Sequence, residues 1–134
     1  MTQRSKNSMV IAVAVIGLGI LAATLLPMLA SSGSDTVHEI RLVVRGMNFY
    51  VEGESRPNPT INVRAGEQVR LVLKNEDPGM RHDFVVEDWK VATRMLEDKG
   101  EQDTISFRAP SEAGDQVYHC TPHAILMRGT IRVQ

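Results

Sequence analysis

Cysteine is nearly missing: the 134 residues hold one, Cys120. A single thiol excludes an internal disulfide and a four-cysteine zinc site. No His-x-His pair occurs, and the four histidines are His38, His82, His119 and His123. Neither sign of charge dominates, with 15 Lys+Arg against 16 Asp+Glu and a formal net charge of −1. Without a basic excess, the chain is not expected to bind nucleic acid through a dominant basic surface. Aromatic residues are only 4% and charged residues 23%, within the range of a globular protein. There is no internal repeat and no low-complexity tract.

One long apolar run is present. Residues 9–30 carry no charge, and as a helix they would be about 33 Å long, enough to cross a bilayer's hydrocarbon core. Arg4 and Lys6 precede the run, and no Lys or Arg follows until Arg41. The positive-inside rule then puts residues 1–8 in the cytoplasm, residues 9–30 in the membrane as one transmembrane anchor, and the rest on the extracytoplasmic side. A cleaved signal peptide is the competing reading, but its apolar core usually spans about 7–15 residues. Met28 is also a poor small residue two places before a cleavage at Ala30. No cysteine follows closely, which excludes a lipoprotein anchor, and the lack of an Arg-Arg pair points to export unfolded. The run has no polar face, which argues against a buried core helix.

Residues 31–35 read as a polar linker and 36–134 as one domain, expected to be monomeric. Its pattern is mostly strand. Ile40, Leu42 and Val44 alternate with Glu39 and Arg41; Val69, Leu71 and Leu73 alternate with Arg70 and Val72. Shorter runs at 47–51, 61–63, 82–87, 102–108, 116–120 and 129–133 are separated by Pro57, Pro59, Gly66, the 75–79 loop, Pro110 and Gly114. Val91, Met95 and Leu96 are spaced as one face of a short helix ended by Gly100. The overall expectation is an all-β sandwich behind one N-terminal transmembrane helix.

The chemistry concentrates near the C-terminus. Two residues separate Cys120 from His123, and three separate His123 from Met127. His82 follows a loop at the start of a strand. One thiolate, two imidazoles and one thioether suit a soft, polarisable metal, and a trigonal Cys-His-His site with a weak axial Met describes blue copper. A free thiol outside the cell is prone to oxidation, a hazard that a metal–thiolate bond removes. His119 alternates away from Cys120 along its strand and reads as structural. His38 reads as a surface residue, Met47 and Met95 as packing, Met80 as packing or lining of the site, and Trp89 as a core or covering aromatic. Glu76/Asp77 and Glu87/Asp88 read as solvated pairs.

Here the sequence resembles the small cupredoxins, which include plastocyanin, pseudoazurin and azurin, and most closely the amicyanins. Residues 112–123 resemble the family's copper strand and loop, 127–133 its closing strand, and 75–84 its first-histidine loop. The resemblance implies a Greek-key β-sandwich, one type 1 copper ion, one-electron transfer, and His82, Cys120, His123 and Met127 as copper ligands. Three positions depart from the pattern. The loop between His123 and Met127 is one residue longer than in amicyanin and one shorter than in plastocyanin. Asp83 stands where the family usually has Asn, and its charge would lower the reduction potential. Gln116 stands where an aromatic is common, weakening a core contact.

The expected function is a membrane-tethered carrier of single electrons between respiratory or other redox proteins on the extracytoplasmic face. These partners would dock at the copper end on an apolar collar of Pro78, Gly79, Met80, Pro122, Ala124, Ile125 and Leu126 around His123. Enzymatic activity is not expected: the oxidases and nitrite reductases of this fold need further histidines, and a binuclear copper centre needs two cysteines. The alternatives are a copper-handling accessory protein and a red-copper, nitrosocyanin-like protein.

Overall fold

The computed structural model describes residues 36–134; the expected anchor at 9–30, the 1–8 tail and the 31–35 linker lie outside the described residues. Among the described residues, 36–134, no helix is long and apolar enough to cross a membrane.

Alternation of apolar and charged residues forms β1 (His38–Arg45), with Ile40, Leu42 and Val44 turned inward and buried. Gly46 and Met47 both have positive φ, 56° and 59°, and make a two-residue turn into β2 (Asn48–Val51). A primed hairpin turn requires that backbone shape. It suits Gly46, but at Met47 left-handed backbone costs about 1 kcal/mol or more. Then follow β3 (Thr60–Val63) and β4 (Gln68–Asn75), then β5 (Val85–Val86) and β6 (Val91–Ala92), and finally β7 (Gln102–Arg108), β8 (Gly114–His119) and β9 (Arg128–Val133).

The strands form two sheets, ordered β2-β1-β4-β7 and β3-β9-β8-β5-β6. In the first, β1 runs parallel to β4, with Leu42 opposite Leu73 and Val44 opposite Asn75. In the second, β3 runs parallel to β9 and β8 antiparallel to β9. Leu42, Val44, Phe49, Leu71 and Leu73 of one sheet and Ile61, Val86, Tyr118 and Ile131 of the other are buried in a common core, which Phe84 joins from just before β5. Phe49 meets the rings of Phe84 and Tyr118 edge-on at 6.0 and 5.3 Å, while Phe84 stacks on Tyr118 at 5.1 Å. Such pairs add about 0.5–1.5 kcal/mol each beyond the area they bury. The Tyr118 hydroxyl donates to the Pro59 carbonyl at 2.7 Å, so its one polar atom is satisfied in the core. Burial pushes its pKa upward.

The expected helix within 88–100 does not form. That stretch holds a single 3-10 turn, Glu87–Trp89, with Lys90 left-handed at φ 53°, then β6 paired with β5. Leu96 exchanges backbone hydrogen bonds with His82, at 2.9 and 2.8 Å. The Thr93 hydroxyl accepts the Phe84 N–H at 2.9 Å. The apolar spacing was helix-like, but the backbone donors and acceptors of β5 and His82 recruit the segment as an edge. Trp89 is half-buried and covers Phe107, ring centroids 6.0 Å apart.

Because β1 and β4 are parallel, the 46–47 turn and the loop after Asn75 leave the sandwich at the same end. Hydrogen bonds from the turn to Asp77 of that loop and from Thr121 to Asp83 show that Cys120, one residue past β8, emerges there too.

Candidate metal centre

Two local structures build this end. The 120–127 loop is closed by its own backbone. The Cys120 N–H donates to the Met127 carbonyl at 3.0 Å, His123 to Cys120 at 3.1 Å, and Met127 to His123 at 2.9 Å. Pro122, with its preset φ, lies within the 3-10 turn Thr121–His123. The 75–83 loop is organised by Asn75, whose amide donates to the Met80 carbonyl at 2.7 Å while its side-chain oxygen accepts the Asp77 N–H at 2.9 Å. The Asp83 carboxylate locks the loops together by accepting the Thr121 N–H at 2.6 Å.

The closed loops converge three donors. Cys120 Sγ lies 3.6 Å from His82 Nδ1 and 3.6 Å from His123 Nδ1. The three ligand atoms all fall within 4.8 Å of one another, and the imidazole centroids are 5.0 Å apart. A first-row metal with bonds of about 2.3 Å to sulfur and about 2.0 Å to nitrogen would separate the two donors by about 3.5–3.7 Å, a range that includes the spacing present here. The donor set and its spacing fit a metal ion. His82 and Cys120 are fully buried and His123 is half-buried, so His123 is the member of the set that reaches solvent. Met127 is also fully buried, and its backbone is tied to both Cys120 and His123.

Burial sets the protonation of two of the donors, Cys120 and His82. Burial pushes the Cys120 thiol up to about 11 and the nearby Asp83 charge adds to this, against the hydrogen bonds that lower it, so without metal it is protonated at neutral pH. Burial also pulls the His82 pKa down, against the attraction of Asp77, and keeps the ring a neutral donor.

His119 is half-buried, with Nε2 3.6 Å from the Glu87 carboxylate, outside the cluster. His38 is half-buried rather than free on the surface, 3.1 Å from Glu67. The pair read as solvated, Glu76/Asp77, is divided: Asp77 is only 8% exposed. It accepts backbone N–H groups from the 46–47 turn and lies 3.2 Å from His82 Nε2. Sequence reasoning missed it because the groups that bury it come from a turn thirty residues earlier. Around the half-buried His123, Ile125 is 89% and Leu126 61% exposed; with Pro122 and Ala124 they line a shallow apolar depression.

The profile of copper-binding proteins of the plastocyanin/azurin family matches residues 56–134, more than half of the chain. No curated protein matches the chain in sequence. Among solved structures, the chain is similar to auracyanin A, a "blue" copper protein from Chloroflexus aurantiacus: 18% identity, 73% of this chain and 99% of that one covered, TM-score 0.58. It is similar to dithionite-reduced auracyanin from Roseiflexus castenholzii at 21% identity, with 72% and 96% covered and a TM-score of 0.58. Reduced rusticyanin is similar at 21% identity, 73% and 79% covered, TM-score 0.55.

Proposed function

The chain belongs to the plastocyanin/azurin family of copper-binding proteins, and from that premise we propose that it carries single electrons between redox proteins on the outer face of a cytoplasmic membrane. Its cofactor is one type 1 copper ion. In this reading Cys120, His82, His123 and Met127 are the residues that would hold the ion. When bound, copper supplies a one-electron couple between Cu(II) and Cu(I).

The protein's part is to keep the donors still. The backbone-closed 120–127 loop and the Asp83–Thr121 bond hold the ligand positions fixed, so little reorganisation accompanies a change of charge. Burial of His82 and Cys120 excludes water from the thiolate. The observation that carries the reading is the position of His123, a member of the buried set that also reaches an exposed apolar surface. Electrons would pass through its edge to a partner seated on Pro122, Ala124, Ile125 and Leu126. A small apolar docking face suits weak, rapidly exchanged redox complexes. The likeness of the ligand loop to the amicyanins belongs to the same reading, as does tethering through residues 9–30.

A red-copper, nitrosocyanin-like site would need a further strong donor. Among the described residues the cluster holds no carboxylate, and the nearby Asp83 is engaged with Thr121. Voltammetry of the copper-loaded protein tests the proposal. A reversible one-electron wave, with copper retained in both states against a mild chelator, is the expected result. Irreversible reduction with rapid loss of the ion would instead support a copper-handling protein.

A further inference from the structure

His82 reaches the cluster with Nδ1, which leaves Nε2 on the far side of the ring, buried and without a well-aligned hydrogen-bond partner. A buried ring N–H needs an acceptor. One is close: Asp77 Oδ2 stands 3.2 Å away. The distance is at the long end of the hydrogen-bond range and the N–H is aimed off the oxygen, and a small rotation of either group would align them.

Asp77 is well placed to hold that position. Its Oδ1 accepts the Gly46 N–H at 2.6 Å and its Oδ2 the Met47 N–H at 3.0 Å, across the positive-φ turn between β1 and β2. Its own N–H is held by Asn75, whose amide also holds the Met80 carbonyl. The carboxylate is therefore anchored from two directions, and Oδ2, which accepts one N–H, has capacity for a second from the buried ring. Holding the turn alone would not require an oxygen 3.2 Å from Nε2.

We propose that Asp77 is a positioning residue for the metal centre, which keeps the proton of His82 on Nε2 and the Nδ1 lone pair turned toward Cys120 Sγ, and so links the β1–β2 turn to the copper site. The inference rests on the reading of His82 as a copper ligand. Carboxylates placed behind ligating histidines fix the tautomer and ring orientation, and losing one typically costs about 10–100-fold in metal affinity.

The test compares the full-length wild-type protein with Asp77→Ala and Asp77→Asn. Nitrogen-15 NMR of the His82 ring, in metal-free and Cu(I) forms, reads the tautomer; Cu(II) affinity, EPR and reduction potential read the site. In the wild type, Nε2 is expected to carry the proton in both forms. Asp77→Ala should lose about 10–100-fold in Cu(II) affinity and change the EPR spectrum. Asp77→Asn keeps one uncharged acceptor oxygen, which can serve Nε2 and the Met47 N–H but not the Gly46 N–H as well, and should recover part of the affinity and the spectrum while the potential rises. A purely structural role at the turn would lower folding stability and leave the ring signals, spectrum and potential unchanged. A folded Asp77→Ala with wild-type values overturns the proposal, as does a metal-free wild type protonated on Nδ1. If Asp77→Ala does not fold, an Asp77→Asn protein with unchanged potential and Nε2 signal overturns it equally. Lack of a type 1 spectrum in the wild type would overturn the parent reading, whereas a type 1 spectrum indifferent to Asp77 overturns this one alone.

Discussion

Asp83 and Met127 make separable contributions to the proposed site. Asp83 is 6% exposed and accepts the Thr121 N–H at 2.6 Å, next to the buried thiol. A negative charge there favours the more positive oxidation state of the metal. Asp83→Asn preserves the acceptor and removes the charge, so the reduction potential should rise on the order of 60 mV, the equivalent of a tenfold change in the relative stability of the two states. Voltammetry of the two proteins at one pH checks this, and an unchanged potential would contradict it. Met127 is fully buried whether it serves as ligand or only as packing. Met127→Leu, close to it in volume, should cost the metal-free protein less than about 1.5 kcal/mol by denaturant unfolding. If the thioether is a ligand, the same variant must shift both the visible spectrum and the potential of the copper form; if neither moves, Met127 is packing alone. Cys120, His123 and Met127 stood out in the sequence because their spacing is local, and His82 because of the loop before it. Asp77 did not, because its burial depends on residues 46 and 47.

The long strands were readable from alternation, since each buries one face: Val69, Leu71 and Leu73 of β4 are fully buried, as their spacing implies. Of the two-residue strands, β5 was read too long, as a run over 82–87, and β6 was not read at all, because two residues establish no period. The helix expected within 88–100 failed for a related reason. A period of three or four carries no information about an unpaired neighbouring edge, and here pairing with β5 and with His82 decided the outcome. One strand contact is stringent. The Tyr118 ring of β8 lies directly over Gly129 of β9, and its hydroxyl is fixed to the Pro59 carbonyl, so a side chain at 129 meets a ring that cannot swing away. Gly129→Ala should therefore destabilise the protein by about 1–3 kcal/mol, the usual cost of overpacking a core. The midpoint of denaturant unfolding reads it; an unchanged midpoint would mean that β8 and β9 separate easily. Since Cys120 follows β8 and Met127 precedes β9, the same substitution should also broaden the copper EPR lines.

At the scale of the whole molecule, the sandwich gathers its metal donors and its most exposed apolar side chains at one end. Ile125 and Leu126 are not needed by the core, and their exposure of 89% and 61% suits the docking face proposed above. Ile125→Lys should leave the potential and spectrum unchanged while slowing electron exchange with membranes from the source cell at least several-fold. Equal rates would place docking elsewhere. The account rests most heavily on the buried convergence of one thiol and two imidazoles. Its most direct test is a Cu(II) titration of the purified protein followed by visible absorption and EPR. One equivalent should produce an intense blue thiolate-to-copper band with narrow hyperfine splitting, both lost in Cys120→Ser. A colourless protein, or one that takes zinc but forms no Cu(II)–thiolate band, would contradict the electron-carrier reading.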